Sequence, residues 1–351
     1  MGPSGFERKQ PPSISRAVRV EPFVPGRRET LGWAYHAHVA DPILVTGSHR
    51  SGTTWVGRML SLSPQVGYIH EPFNPQRSPG WMGERLPHWY LYVCPENESR
   101  YLEPMRRVLA FRYPVARDLR HLPGPRQLGR MKLEWLRSVG QRRRQPRPLL
   151  KDPIAFFSAE WLADRFGARP VVMVRHPAAF AGSLKRLGWQ FDYRNWADQP
   201  LLLRDHLDPY RDRIRAFATS QPDVIEQAIL MWNAIHDVIH RYRERHPDWI
   251  YLRYEDLAEE PVAGFEDLAR SLGTPWDEAI RAEVIRFSSE GNVKEVPTWQ
   301  HQRVKRDSRA AARSWVRRLT EEERERIRTG TAEVAGRFYG EADWVPEAAG
   351  R

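Results

Sequence analysis

The sequence predicts an α/β protein: a mainly parallel β-sheet flanked by helices, with helical and loop insertions that cover the active site. Three observations predict it. Short apolar runs recur along the chain, each stopped by glycine, proline or charge. Stretches with apolar residues at a period of 3.6 separate them, and strands alternating with helices imply βαβ crossovers and parallel pairing. The first run also passes through a Gly- and Ser-rich turn directly into a helical pattern.

In chain order, residues 1–38 read as a flexible arm, proline-rich and basic without apolar periodicity. Residues 39–345 follow as a single domain. Pro42–Thr46 is the first strand, ended by Gly47, and a helix begins at Thr54. Gln65–His70, Pro148–Lys151, Arg169–Val174 and Trp249–Tyr254 are the next four strands. Asp223–His246 carries a broad apolar stripe at helical period and stops at His246-Pro247. Thr320 opens a last helix as N-cap, with Glu323 at the capping-box position. Two insertions interrupt the alternation, at about 74–148 and 188–220. The first is rich in Pro, Trp, Tyr and Arg; the second holds Trp189, Phe191, Tyr193 and Trp196. Excursions of this length usually cover an active site.

Composition narrows the classes. A chain of 351 residues allows two domains at roughly 150 residues each, but one large α/β unit fits equally well. The 41% of hydrophobic residues excludes wholesale disorder. A mean hydropathy of −0.65, with no apolar run near ~18 residues, excludes an ordinary transmembrane helix. One cysteine, Cys94, excludes an internal disulfide framework and a multi-cysteine metal site. The first residues lack the apolar core of a secretory signal, so a cytoplasmic location is expected. Lys+Arg 55 less Asp+Glu 44 leaves +11, which favours an anionic partner: a nucleotide, an acidic polysaccharide, a membrane surface or nucleic acid. Only six of the 55 bases are lysine, a skew that reads as the coding bias of a GC-rich genome. No helix-turn-helix, zinc-finger or aromatic RNA-binding signature appears, so nucleic acid is not the expected partner.

The decisive segment is Gly47-Ser-His-Arg-Ser-Gly-Thr-Thr54, between a strand and a helix. In this P-loop-type arrangement, backbone N–H groups and a helix N-terminus wrap a phosphate, and glycines let the main chain approach the anion. The nucleotide triphosphatase loop has a lysine where Thr53 stands here, and that lysine reaches the β/γ-phosphates. Arg50 supplies charge from inside the loop instead. Two alternatives stay open: a degenerate P-loop kinase or nucleotide-binding protein, dependent on Mg²⁺ and ATP, and a non-catalytic protein that holds a polyanion in a salt-sensitive way.

Arg50-Ser-Gly-Thr-Thr-Trp55 resembles the 5′-phosphosulfate-binding loop of sulfotransferases that use 3′-phosphoadenosine 5′-phosphosulfate (PAPS). Val172-Met-Val-Arg175-His-Pro-Ala-Ala-Phe-Ala-Gly-Ser183 resembles their 3′-phosphate-binding segment. An arginine there can grip a phosphate with its planar fork, and Ser183, just over two helical turns on, can add a hydroxyl. Tyr254-Glu-Asp-Leu257 is common in the same family, where the tyrosine lies near the adenine. The likeness spans about residues 41–320 and is nearest to the tyrosylprotein and carbohydrate branches. It implies PAPS as co-substrate, 3′-phosphoadenosine 5′-phosphate (PAP) as product and no metal. It also implies Ser51, Gly52, Thr53 and Thr54 as loop contacts, and Trp55 as an aromatic partner for the adenine.

The implied reaction is sulfuryl transfer to an acceptor hydroxyl or amine, an in-line displacement by analogy with phosphoryl transfer. Glu71 is the expected general base: it follows the second strand, 21 residues after Arg50, like the glutamate of the tyrosylprotein branch. Beside Pro72 and Phe73 its carboxyl should be partly desolvated and its pKa raised. His70 is the alternative base. Lys151, in Lys-Asp-Pro153, resembles the lysine that stabilises the transition state in that branch; a structural salt bridge to Asp152 is its alternative reading. Arg50 stands where cytosolic members have a loop lysine and should act as a fixed clamp, worth about 3 kcal/mol of barrier. Basic segments Arg303–Arg309 and Ser314–Thr320 lie where the family closes over the nucleotide, without individual contacts assigned. The aromatics of 188–196 are the expected acceptor wall. The expected acceptor is a glycan, glycolipid or small metabolite in a bacterial cytoplasm.

Overall fold

The computed structural model describes residues 41–345 apart from 78, 120–124, 296 and 298–303, so the expected arm at 1–38 and Arg303 lie outside the described residues. Five strands form one sheet: β1 (Ile43–Gly47), β2 (Val66–His70), β3 (Arg147–Lys151), β4 (Arg169–Val174) and β5 (Ile250–Arg253). The order is β2-β3-β1-β4-β5, and all four pairings are parallel. Val45 sits beside Lys151 on one side and Val171 on the other.

The apolar runs become central strands because both faces of the sheet are covered. Ile43 and Val45 join Val171 and Met173 in one core cluster, while Leu44 joins Val172 and Val174 in the other. β5, at the sheet edge, is half-buried along its length.

Six helices matter for the site: α1 (Thr53–Leu60), α2 (Pro125–Arg144), α3 (Pro177–Leu187), α4 (Val224–Arg245), α5 (Tyr254–Glu259) and α6 (Glu321–Ala335). α1 begins one residue before the expected Thr54, and Tyr254 opens α5 rather than closing β5. The Asp223 carboxylate caps α4 by accepting from the N–H groups of Ile225 and Glu226. Both halves of the Thr320–Glu323 capping box are present on α6.

The two insertions are packed parts of the domain. The first buries Trp81, Tyr90, Tyr101 and Met105. It is tied to the second where the Trp89 N–H donates to Asn195 Oδ1 (2.8 Å) and the Tyr92 N–H donates to Gln199 Oε1 (2.9 Å). Tyr193 and Trp196, expected in an acceptor wall, are only 1% and 0% exposed. They fill the core between the insertions, edge to face with each other, and Trp196 packs against Tyr90. Trp189 and Phe191 remain half-buried at its margin.

Losing the α4 cap tests this account of the fold. Asp223→Ala should lower unfolding stability by about 1 kcal/mol in a urea titration, since two first-turn amides lose their acceptor.

Candidate active site

A parallel sheet directs the carboxyl ends of all its strands to one edge, where ligand crevices form. Here the segments after β1, β2, β3, β4 and β5 bring Arg50, Glu71, Asp152, Arg175 and Tyr254 to that edge. β1 lies between β3 and β4, so its loop is flanked by Lys151-Asp152 on one side and Arg175 on the other.

The loop after β1 needs its glycines. Gly47 has φ +131°, and a Cβ there would meet the Met173 carbonyl oxygen at 2.5 Å. Gly52 caps α1 at φ +97°, and a Cβ there would strike the Tyr254 ring at 2.4 Å. No side chain caps α1, so its first amides face the loop as anion donors. Among the described residues five non-glycine residues have positive φ, and three of them, Arg50, Glu71 and Tyr90, belong to this site. Such strained backbone clusters where function holds it.

The two halves of the expected nucleotide site meet. Arg50 Nε donates to Ser183 Oγ at 3.1 Å, across 133 residues of sequence. Arg175 donates through Nη1 to the Arg50 carbonyl (3.0 Å) and through Nη2 to the Ala311 carbonyl (3.2 Å). Its guanidinium lies 4.2 Å from the centre of the Tyr254 ring, and its buried Nε has no hydrogen-bond partner among the described residues. Arg50, Arg175, Arg186, Arg306, Arg318 and Ser183 line one cleft. Among the described residues no carboxylate forms an ion pair with Arg50, Arg175 or Arg306; Arg186 and Arg318 share Glu295. Burial, followed by the repulsion of Arg306, Arg175, Arg318 and Arg186, pulls Arg50 down to about 9. A cluster of unneutralised, partly desolvated cations is a site for a multiply charged anion.

Trp55 is only 3% exposed and meets Tyr254 and Phe265 edge to face. Its indole packs within the core beneath the loop. Ser51 and Thr53 are buried in the loop, Gly52 and Thr54 are half-buried, and Ser51 Oγ donates to the Ser48 carbonyl.

Glu71, Lys151 and Asp152 form a second, adjoining group. The Glu71 N–H donates to the Lys151 carbonyl (3.0 Å), which continues the β2–β3 pairing by one residue. Asp152, fully buried, accepts from the Phe73 N–H (2.7 Å) and the Ile154 N–H (3.0 Å), which fixes the turn carrying Glu71. The stem of Lys151 packs beside Gly57 of α1, and its buried ammonium is ion-paired to Glu71 rather than to Asp152. Asn74 Nδ2 donates to the second Glu71 oxygen at 2.7 Å. The expected rise of the Glu71 pKa is overturned. Burial pushes it up, but the Lys151 charge and the hydrogen bonds of Lys151 and Asn74 outweigh burial and hold it at about 2. Burial raises Asp152 to about 7. His70 is neutral: burial and then the Lys151 charge hold it at about 2. Its Nδ1 meets the Tyr68 hydroxyl at 3.0 Å, and its Nε2 has no hydrogen-bond partner among the described residues.

Three groups lay beyond the sequence reading. Arg306 and Arg318, within segments left without assigned contacts, reach the cleft from the C-terminal side. Arg186 joins them three residues after Ser183, one helical turn on, a spacing that could have indicated it. His49, inside the loop, donates its backbone N–H to the Tyr90 hydroxyl (2.9 Å) and meets the same hydroxyl through Nδ1 (2.7 Å). Trp89 and Trp189, one from each insertion, stand 6.4 and 5.0 Å from the His49 ring. They are the half-buried aromatic wall of the site.

The sequence profile described as the Sulfotransferase family matches residues 42–278, more than half of the chain. Solved structures of similar shape include the sulfotransferase domain of the Synechococcus PCC 7002 olefin synthase, at 18% identity, 87% coverage of this chain, 97% of that one and a TM-score of 0.42. A sulfotransferase from Mycobacterium avium, STF9, is 14% identical over 86% of this chain and 78% of its own, with a TM-score of 0.41. Mouse SULT7A1, complexed with PAP, is 14% identical over 85% of this chain and 86% of its own, with a TM-score of 0.40. No curated protein sequence matches the chain.

The Glu71–Lys151 pair has a pH signature. A carboxyl held at about 2 in the folded chain, against an ordinary 4.5, adds stability that is present above 4.5 and lost as pH falls toward 2. Urea titrations at pH 5 and pH 3 should show wild type losing stability over that interval. Glu71→Gln, already weakened at pH 5 by the unpaired Lys151, should lose clearly less; equal losses would mean that the pair does not exist in solution.

Proposed function

Since the chain belongs to the Sulfotransferase family, we propose that it transfers the sulfuryl group of PAPS to a hydroxyl or amine of a glycan, glycolipid or small metabolite. One observation carries the reading: Arg50 and Ser183, one from each motif, are hydrogen-bonded at the rim of a cleft whose arginines Arg50, Arg175 and Arg306 have no acidic partner among the described residues. That donor set fits a nucleotide with phosphate at both ends. PAPS would supply an activated sulfuryl group on a leaving phosphate. The first amides of α1, with Ser51, Gly52, Thr53 and Thr54, hold the 5′ end. Arg175 and Ser183 hold the 3′-phosphate, helped by Arg186, Arg306 and Arg318. Tyr254 borders the adenine, and Trp55, expected to stack on it, instead supports the Tyr254 ring from the core.

In the resting protein Glu71 is a weak base because Lys151 neutralises it. An anionic donor draws Lys151 toward the transferring group, and the weaker pairing raises the basicity of Glu71. Glu71 then takes the acceptor proton, with His70 as the alternative, as the acceptor oxygen bonds to sulfur and the bond from sulfur to the 5′-phosphate oxygen breaks. Lys151 and Arg50 offset the negative charge that builds on the sulfuryl and phosphate oxygens. Asp152 acts through the turn it anchors. Trp89, Trp189 and Phe191 wall the acceptor.

Differential scanning fluorimetry with PAP and AMP tests the nucleotide assignment. PAP should raise the melting temperature far more than AMP, and Arg175→Ala should remove most of the difference. Equal shifts in wild type would end the 3′-phosphate role of Arg175 and Ser183. With PAPS and an acceptor, Glu71→Gln should lower kcat by at least about a hundredfold while PAP binding persists; retained turnover would move the base to His70. Turnover should also continue in EDTA. Trp189→Ala should raise the acceptor KM and leave the PAPS KM unchanged.

A further inference from the structure

The described residues expose eight large apolar side chains, and five of them lie close together in sequence: Leu119, Leu128, Leu133, Trp135 and Leu136. Four of these are on α2, and Leu119 ends the short helix Val115–Leu119 packed against it. α2 turns Met131 and Ser138 inward. Its one acid, Glu134, also faces the domain, where it accepts from the Trp81 indole N–H at 3.2 Å. The opposite side carries Leu133, Leu136 and, at its margins, Leu128 and Trp135. Interleaved with them are the exposed cations Lys132, Arg137, Arg142, Arg143 and Arg144. From residue 128 to 144 there are six bases and one acid, a net +5.

We propose that this face of α2 docks on an anionic membrane surface. A helix lying in the headgroup region needs this pairing: leucine and tryptophan to enter the acyl boundary, and lysine and arginine to meet anionic headgroups. Long basic stems can lie along the apolar side chains while their charges reach the phosphates. Other occupants fit less well. A second copy of the chain, related by a two-fold axis, would set this cationic face against itself. Nucleic acid would use the arginines and leave Leu128, Leu133, Trp135 and Leu136 without a role. No helix among the described residues is long and apolar enough to cross a membrane, so the contact is one of surface docking. α2 also lies beside the active site: Gln141 Nε2 donates to the Tyr68 carbonyl at 3.2 Å on β2, the strand that delivers Glu71. The surface does not depend on the transfer chemistry assigned above.

Co-sedimentation of the full chain with large unilamellar vesicles tests the proposal. At about 0.1 M salt, binding to phosphatidylglycerol mixed into phosphatidylcholine should exceed binding to pure phosphatidylcholine by at least about tenfold. It should persist with PAP in excess, because the arginine cleft is not the contact. Leu133→Ser with Leu136→Ser, and separately Arg142→Gln, Arg143→Gln and Arg144→Gln together, should each reduce binding at least about tenfold with the melting temperature unchanged. Ile285→Ser, at an exposed apolar site elsewhere, should leave it unchanged. Equal sedimentation with both vesicles, no sedimentation, loss on adding PAP, or full binding by either folded α2 variant would overturn the proposal. So would a wild-type dimer in analytical ultracentrifugation that the leucine variant converts to monomer.

Discussion

Parallel pairing is the constraint on which the rest depends. Because all five strands run the same way, every strand-ending residue with chemistry emerges on one edge. The register makes this specific. Val45 of β1 pairs with Lys151, so the anion loop begins two residues beyond a buried ammonium, and Gly47 pairs with Met173, two residues before Arg175. One antiparallel strand would carry its functional residue to the opposite edge. The apolar content of β1 and β4 therefore bears on the geometry of the candidate site. Strands buried on both faces hold the loop after β1, Glu71 and Arg175 at fixed separations.

Two electrostatic conflicts are built into that edge. On one side of β1, arginines are gathered with Glu295 as the one acid paired to the cluster among the described residues, at the cost of desolvation and mutual repulsion that lower Arg50, Arg306 and Arg318. On the other, a buried ammonium is neutralised by the carboxylate proposed as base. Both would be eased by a negatively charged ligand, which would compensate the first group and compete for Lys151 in the second. Arg50 and Glu71 also sit in left-handed backbone, so conformational strain and electrostatic strain fall on the same residues.

The insertions complete the edge. Tyr90, deep in the first, fixes His49 inside the anion loop through one hydroxyl, and Trp89 and Trp189 bring one aromatic face from each insertion to that histidine. The cross-links at Asn195 and Gln199 join the insertions into a single covering layer. α2 extends this layer outward, so the first insertion, which brings Trp89 to the candidate site, also carries five of the eight exposed large apolar side chains among the described residues.

The strands, the α6 cap, the Gly- and Ser-rich turn after β1 and the strand-to-helix passage at Arg175–Ser183 were legible in the sequence because each is a local pattern: an apolar run, a capping residue, or glycine and arginine at fixed spacing. What stands opposite Glu71 was not legible, because its pKa depends on a lysine 80 residues away that enters only through β2–β3 pairing. The same holds for Tyr193 and Trp196, whose aromatic character fits a wall or a core equally until the insertions pack. It holds for Arg306 and Arg318, whose place in the cleft comes from a C-terminal fold-back. Backbone preference and side-chain pattern act over a few residues and are written along the chain. Charge coupling and burial act through space, and only the folded arrangement of distant segments decides them.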